Sequence, residues 1–106
     1  LLNEKTGLVD YRVLEPATGR EWRAYPRDGL SDIQHQQMRT QPDLIRDYAL
    51  HLQAQHAREG RVVEVYVESF ASLNGRRSQR FIDPTLDLTQ PIAALDNQGW
   101  ILPLLR

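Results

Sequence analysis

The sequence predicts an α+β fold: an antiparallel sheet of four or five strands with two helices packed on one face, in the order β-β-α-α-β-β. Three observations carry that prediction. Val63, Val65 and Val67 fall on one face of an extended segment while Glu64, Tyr66 and Glu68 fall on the other, the period of two that marks a half-buried strand. A second alternation, with Val9, Tyr11 and Val13 opposed to Asp10 and Arg12, sits near the start of the chain. Between them, Leu44, Ile45, Tyr48, Ala49 and Leu52 recur at helical spacing.

Each element has its own local reason. The strand Leu8 to Glu15 ends at Pro16-Ala17-Thr18-Gly19, where proline presets φ and glycine is free to turn left-handed, and Glu21 to Tyr25 resumes the alternation with Trp22 and Ala24. This first hairpin places Arg12, Arg20 or Arg23 on its outer face as solvated charges that discourage sheet aggregation. Pro26-Arg27-Asp28-Gly29 breaks the pattern. Ser31 with Gln34 then forms a capping box for a short helix to Arg39, in which Met38 fills the core. Pro42 in a first turn beside Asp43 starts the second helix, residues 42 to 58, and Gly60 is its C-terminal cap. The valine strand runs to Ser72-Leu73-Asn74-Gly75-Arg76, where Asn74-Gly75 closes a hairpin and Ser78 to Ile82 is the return arm, stopped by Asp83-Pro84. Pro84 to Pro91 is irregular, with Asp87-Leu88-Thr89 a candidate bridge; Asn97-Gln98-Gly99 turns, and Trp100-Ile101-Leu102 is a final short strand.

Composition bounds the class. The chain has 106 residues, 41% apolar and 25% charged, the profile of one globular domain able to bury about two-thirds of its unfolded surface. With 13 basic and 14 acidic residues there is no global field of the kind that drives sequence-independent nucleic-acid binding, so nucleic acid is not an expected partner. The absence of cysteine excludes disulfide frameworks and thiolate metal sites. The apolar run Trp100 to Leu105, interrupted by Pro103, falls short of the roughly 20 residues that span a bilayer. The chain opens Leu1-Leu2-Asn3 with neither initiator methionine nor charged leader, and we read it as one soluble domain, residues 1–106, excised from a longer membrane protein.

Candidate chemistry is sparse. His51 and His56 are five positions apart, roughly 140° around a helix, too far to share a metal as an i, i+4 pair would, and with His35 they read as surface histidines. No zinc-protease, phosphate-loop or nucleophile-elbow motif occurs, and Ser69, Ser72 and Ser78 lack a marked base. No catalytic residue and no metal ligand is therefore expected. Asp83 and Asp87 fit either an acid–base pair or two turn caps. Arg76, Arg77 and Arg80 cluster at the Asn74-Gly75 turn; they fit a clamp for carboxylate or phosphate, or a solvated turn with Arg76 holding Asp83 or Asp87. Trp100 reads as core, with an interface role as the alternative.

Several short motifs occur in a fixed order. They are Ser72-Leu73-Asn74-Gly75-Arg76, Arg80-Phe81-Ile82-Asp83-Pro84, Asp87-Leu88 and Trp100-Ile101-Leu102-Pro103, preceded by Met38, Pro42-Asp43, Ile45, Tyr48-Ala49 and Leu52. Together they resemble the extramembrane region of vitamin K-dependent gamma-glutamyl carboxylases and their bacterial homologues, membrane proteins often described by a horizontally transferred transmembrane domain (HTTM). The resemblance spans residues 30 to 104, with Asn74, Gly75, Asp83, Pro84, Asp87 and Trp100 as its structural signature.

The resemblance implies a parent that uses oxygen to convert vitamin K hydroquinone to its epoxide. The strong base so formed removes a γ-proton from a peptide glutamate, and carbon dioxide adds. In that family the catalytic lysine and quinone pocket lie in the transmembrane part, so the resemblance transfers no catalytic residue and no cofactor to this stretch. Its implied partners are the transmembrane part of the same chain and a glutamate-containing protein or peptide, which Arg76, Arg77 and Arg80 could engage beside a sheet edge. Its implied place is outside the bilayer on the non-cytoplasmic side, held at the membrane by the parent. Two other readings stand beside this one: an interaction module in a homologue that does not carboxylate, and a free-standing enzyme built on Asp83 and Asp87.

Overall fold

The computed structural model describes residues 5–24, 41–73 and 79–102. Among these, the chain forms β1 (Lys5–Glu15), β2 (Arg20–Ala24), α1 (Pro42–Arg58), β3 (Glu64–Leu73), β4 (Gln79–Arg80) and α2 (Ile92–Asn97). The sheet is antiparallel in the order β2-β1-β3-β4. This is the expected α+β class. The helix expected from Ser31 to Arg39, with Met38 and His35, lies outside the described residues, as does the Asn74-Gly75 turn.

The alternation read in the sequence becomes the two faces of the sheet. β1 and β3 pair from Lys5↔Leu73 to Leu14↔Glu64, a register that sets Tyr11 opposite Val67 and Val13 opposite Val65. Val13 also lies opposite Trp22 of β2. Val9, Tyr11, Val13, Val63, Val65 and Val67 are all buried, and α1 covers them with Ile45, Tyr48, Ala49 and Leu52. Each buried valine, leucine or isoleucine among them contributes about 1.5–3 kcal/mol through burial. One polar bond crosses the layer: the Tyr11 hydroxyl donates to the Ile45 carbonyl at 2.7 Å. Burial, reinforced by the neighbouring Tyr48, raises the Tyr11 phenol far above its ordinary range.

α1 begins as its sequence predicts. Pro42 occupies the first turn, where its missing amide costs nothing, Asp43 sits at the positive end, and Ile45 N–H donates to the Gln41 carbonyl at 3.0 Å. At the far end Gly60 takes φ +77°, a left-handed conformation that reverses the chain toward β3. Gly19 does the same in the β1–β2 turn at φ +72°.

The carboxy-terminal third departs from a plain hairpin. Among the described residues of the expected return arm to Ile82, ladder pairing is kept at Gln79 and Arg80. Phe81 N–H still donates to the Ser69 carbonyl, but Ile82 N–H donates to the Ser69 hydroxyl at 3.0 Å, so a side chain interrupts the main-chain ladder. Beyond that point, residues 81 to 83 pair with 100 to 102 through Asp83 N–H to Trp100 O and Leu102 N–H to Phe81 O, both 2.9 Å. The final extended segment is thus a bridge of Ile82 with Ile101. The sequence reading assigned no helix between Pro91 and Asn97, where α2 forms. Its six residues are too short for a visible period. Its one buried side chain, Leu95, joins Phe81, Ile82, Leu88 and Trp100 in the same core that α1 covers.

Candidate functional site

The residues singled out for chemistry gather along β4 and the segment that follows it. Arg80 stands on β4 with its guanidinium 5.5 Å from the centre of the Phe70 ring and Nη1 3.5 Å from Oε2 of Glu68. The arginine side chain remains 49% exposed and the glutamate 39%. This places a cation on an aromatic face beside one carboxylate, open to a second. Asn74, Gly75, Arg76 and Arg77 fall outside the described residues.

Asp83 and Asp87 occupy equivalent positions in two consecutive Asp-x-Thr turns. Oδ1 of Asp83 accepts from Thr85 N–H at 2.9 Å and from the Thr85 hydroxyl at 2.6 Å, and Pro84 fixes the backbone between them. Oδ1 of Asp87 accepts from Thr89 N–H at 3.0 Å and from its hydroxyl at 2.7 Å. Asp87 does one thing more: the same oxygen accepts Val65 N–H of β3 at 3.0 Å, while Leu88 N–H donates to the Val65 carbonyl at 2.8 Å. The carboxylate therefore stands where an adjacent strand would supply a carbonyl. Trp100 is buried, and its indole N–H donates to Asp96 at 2.9 Å. Asp83 thus caps its own turn, while Asp87 caps its own turn and completes the edge of β3.

The histidines that the structure describes lie apart on α1. His51 meets the Tyr48 ring at 5.6 Å and His56 meets Trp22 edge-on at 5.1 Å. Among the described residues no group of three or more His, Asp or Glu could hold a metal ion.

A second polar cluster escaped the sequence reading. On the face of the sheet opposite the core, Arg12 lies directly across from Tyr66, with its guanidinium 4.8 Å from the ring centre and Nη1 3.3 Å from Glu21. The Tyr66 hydroxyl donates to Glu64 at 2.9 Å. Partial burial, with that hydrogen bond and the negative field of Glu64 and Asp87, pushes the Tyr66 phenol up to about 12 against the opposing pull of Arg12. The alternation of β1 and β3 put these residues on outward faces, but only the strand register brings them together.

Among the described residues no helix is long and apolar enough to cross a membrane. No curated protein and no solved structure matches the chain. The model of one family, described as the lumenal domain of vitamin K-dependent gamma-carboxylase, matches residues 1–106. The chain belongs to that lumenal-domain family, which gives it a non-cytoplasmic, extramembrane position.

Proposed function

We propose that this domain serves a membrane-bound gamma-carboxylase without performing the reaction itself, by engaging the glutamate-containing substrate peptide. The observation that supports the reading is that Oδ1 of Asp83 and of Asp87 each accepts hydrogen bonds within its own turn, the work of a turn cap. In this reading the parent supplies vitamin K hydroquinone oxidation, oxygen and carbon dioxide chemistry from its transmembrane part. The present domain packs against that part and presents Arg80, with Arg76 and Arg77 near it in sequence, to an acidic peptide. Phe70 beneath the Arg80 guanidinium holds it in place, and a peptide carboxylate would share or displace Glu68.

The experiment uses the full-length parent in membranes, supplied with vitamin K hydroquinone and labelled carbon dioxide, with epoxide followed alongside. Replacing Arg76, Arg77 and Arg80 together by alanine is expected to raise the KM for a glutamate peptide severalfold at unchanged kcat, with the remaining binding less sensitive to salt. An unchanged KM would remove the arginine site. Epoxide and carboxylation by the isolated domain would overturn the non-catalytic role.

A further inference from the structure

The outward face of the sheet is laid out in rows of like charge. Both helices send their buried side chains to the core on the inward face. The outward side chains from Asp10 to Leu14 on β1 and from Glu64 to Phe70 on β3 all stay partly open to solvent. The register sets Asp10 directly opposite Glu68. Two residues along β1, Arg12 stands between Tyr66 of β3 and Arg23 of β2, and two further on Leu14 stands between Glu64 and Glu21. An acidic row, a basic row and a second acidic row thus follow one another at intervals of about 7 Å, the length of two strand residues.

This arrangement is costly for a single copy, because like charges directly opposite on neighbouring strands destabilise a sheet. Part of the cost is offset within the chain. Glu68 has Arg80 at 3.5 Å, and Arg12 has Glu21 at 3.3 Å. Asp10 takes part in none of the ion pairs found among the described residues. Its carboxylate therefore faces outward beside a second carboxylate, where a cation from another molecule is favoured.

A two-fold axis lying across the strands at the level of the Tyr11 and Val67 pair supplies that cation. It lays a second copy face to face on the first, β1 over β1 and β3 over β3 with direction reversed, and it exchanges the acidic row with the basic one. Asp10 then meets the partner's Arg12, Arg12 meets the partner's Asp10, and Glu68 lies over the partner's Tyr66, the reciprocity of an isologous contact. An axis one residue along, at the level of Arg12, sets each row on its own sign, and so does an axis parallel to the strands. The rows themselves select the register.

We propose that this face is a self-complementary interface through which two copies of the chain associate about an axis at Tyr11. The area spanned by the rows is on the order of 500 Å2 per copy at standard strand spacing, the size of a weak and transient association. Twist carries the strand ends apart, so the two rows beside the axis make the closest approach. Neither Asp10 nor Arg12 belongs to the peptide site at Arg80.

The test is sedimentation equilibrium of the 106-residue chain over a wide range of concentration at low and high salt, with circular dichroism as the check of folding. A concentration-dependent dimer is expected, and salt should weaken it by screening the exposed pairs. Asp10→Arg and Arg12→Asp, each alone, should raise the dissociation constant roughly tenfold or more, since each sets like charges against one another across the axis. The double variant Asp10→Arg/Arg12→Asp should dimerise again. An equimolar mixture of the two single variants should form a heterodimer, because each supplies the sign that the other lacks. A chain monomeric at every concentration would overturn the interface, as would a dimer that neither single reversal weakens or that the double reversal does not restore. A monomer that instead binds a lysine-rich peptide through Asp10 would give the face to a different chain and overturn the dimer equally. Should a single variant fail to fold, the double variant and the salt dependence of the wild-type chain decide.

Discussion

β3 meets two different neighbours along its two edges. Toward β1 it pairs residue by residue from Glu64 to Leu73, and the bonds are main chain to main chain. Toward the other side, among the described residues, Phe70 and Ala71 find ladder partners, and the edge from Val65 to Ser69 is completed by the Ser69 hydroxyl, the Asp87 carboxylate and the Leu88 amide. The first edge tolerates any residue that keeps an extended backbone. The second depends on individual side chains, because a backbone donor that loses its acceptor inside a protein has no water to replace it. One strand thus has an edge written in alternation and another written in single residues.

That contrast is most directly broken at Asp87. Asp87→Ala removes the acceptor of Val65 N–H, Thr89 N–H and the Thr89 hydroxyl together, and a loss of about 3 kcal/mol is expected from urea unfolding monitored by circular dichroism. Asp87→Asn retains an oxygen acceptor and should lose markedly less. Equal losses would mean that charge, rather than the acceptor at this point, closes the edge. Ser69→Ala comes next, with about 2 kcal/mol, since it strands the buried Ile82 N–H while leaving the main-chain bond from Phe81 in place. Hydrogen exchange sharpens the point: the Ile82 amide should lose protection while amides paired between β1 and β3 keep theirs.

The smallest effect belongs to the β1 side, where Arg12 and Tyr66 add a cation–π contact over an intact ladder. The folded state holds the Tyr66 phenol up to about 12, above its ordinary 10, so it binds the proton more tightly than the unfolded chain does. The resulting stability is fully present below pH 10 and is lost as pH rises from 10 toward 12. Tyr66→Phe should flatten part of that alkaline decline. Tyr11, also raised, supplies the remainder with the same sign. An unchanged alkaline slope in Tyr66→Phe would show that the burial of the Tyr66 phenol and its bond to Glu64 do not contribute to the alkaline decline.

The parts legible in the sequence share a physical character. The valine stripe of β3, the alternation of β1, the helical spacing of α1 and the turns at Gly19 and Gly60 each follow from interactions within a few residues or from one face seeking burial. The ordered motifs from Asn74 to Trp100 also pointed to the family that the whole-chain match establishes. Asp83 shows the limit of such reading. An aspartate before proline announces a turn, and spacing alone also allows it as an acid; the two bonds from Thr85 to Oδ1 are those of the turn reading.

What the sequence by itself determined was the α+β class, the inward face of each long element and the family. Alternation and helical period are properties of the chain's own geometry and need no partner to be read. What only the tertiary structure decided was everything that joins distant residues: Asp87 completing the edge of β3, Ser69 diverting the chain after Phe81, Arg12 stacked on Tyr66, and His56 placed between Trp22 and Glu59. The six-residue α2 belongs with them, since a helix so short is held by the burial of Leu95 rather than by its own propensity. Each depends on which residues burial and strand register bring within hydrogen-bonding or ring-contact distance. That is a property of the packed chain, absent from any local stretch of it.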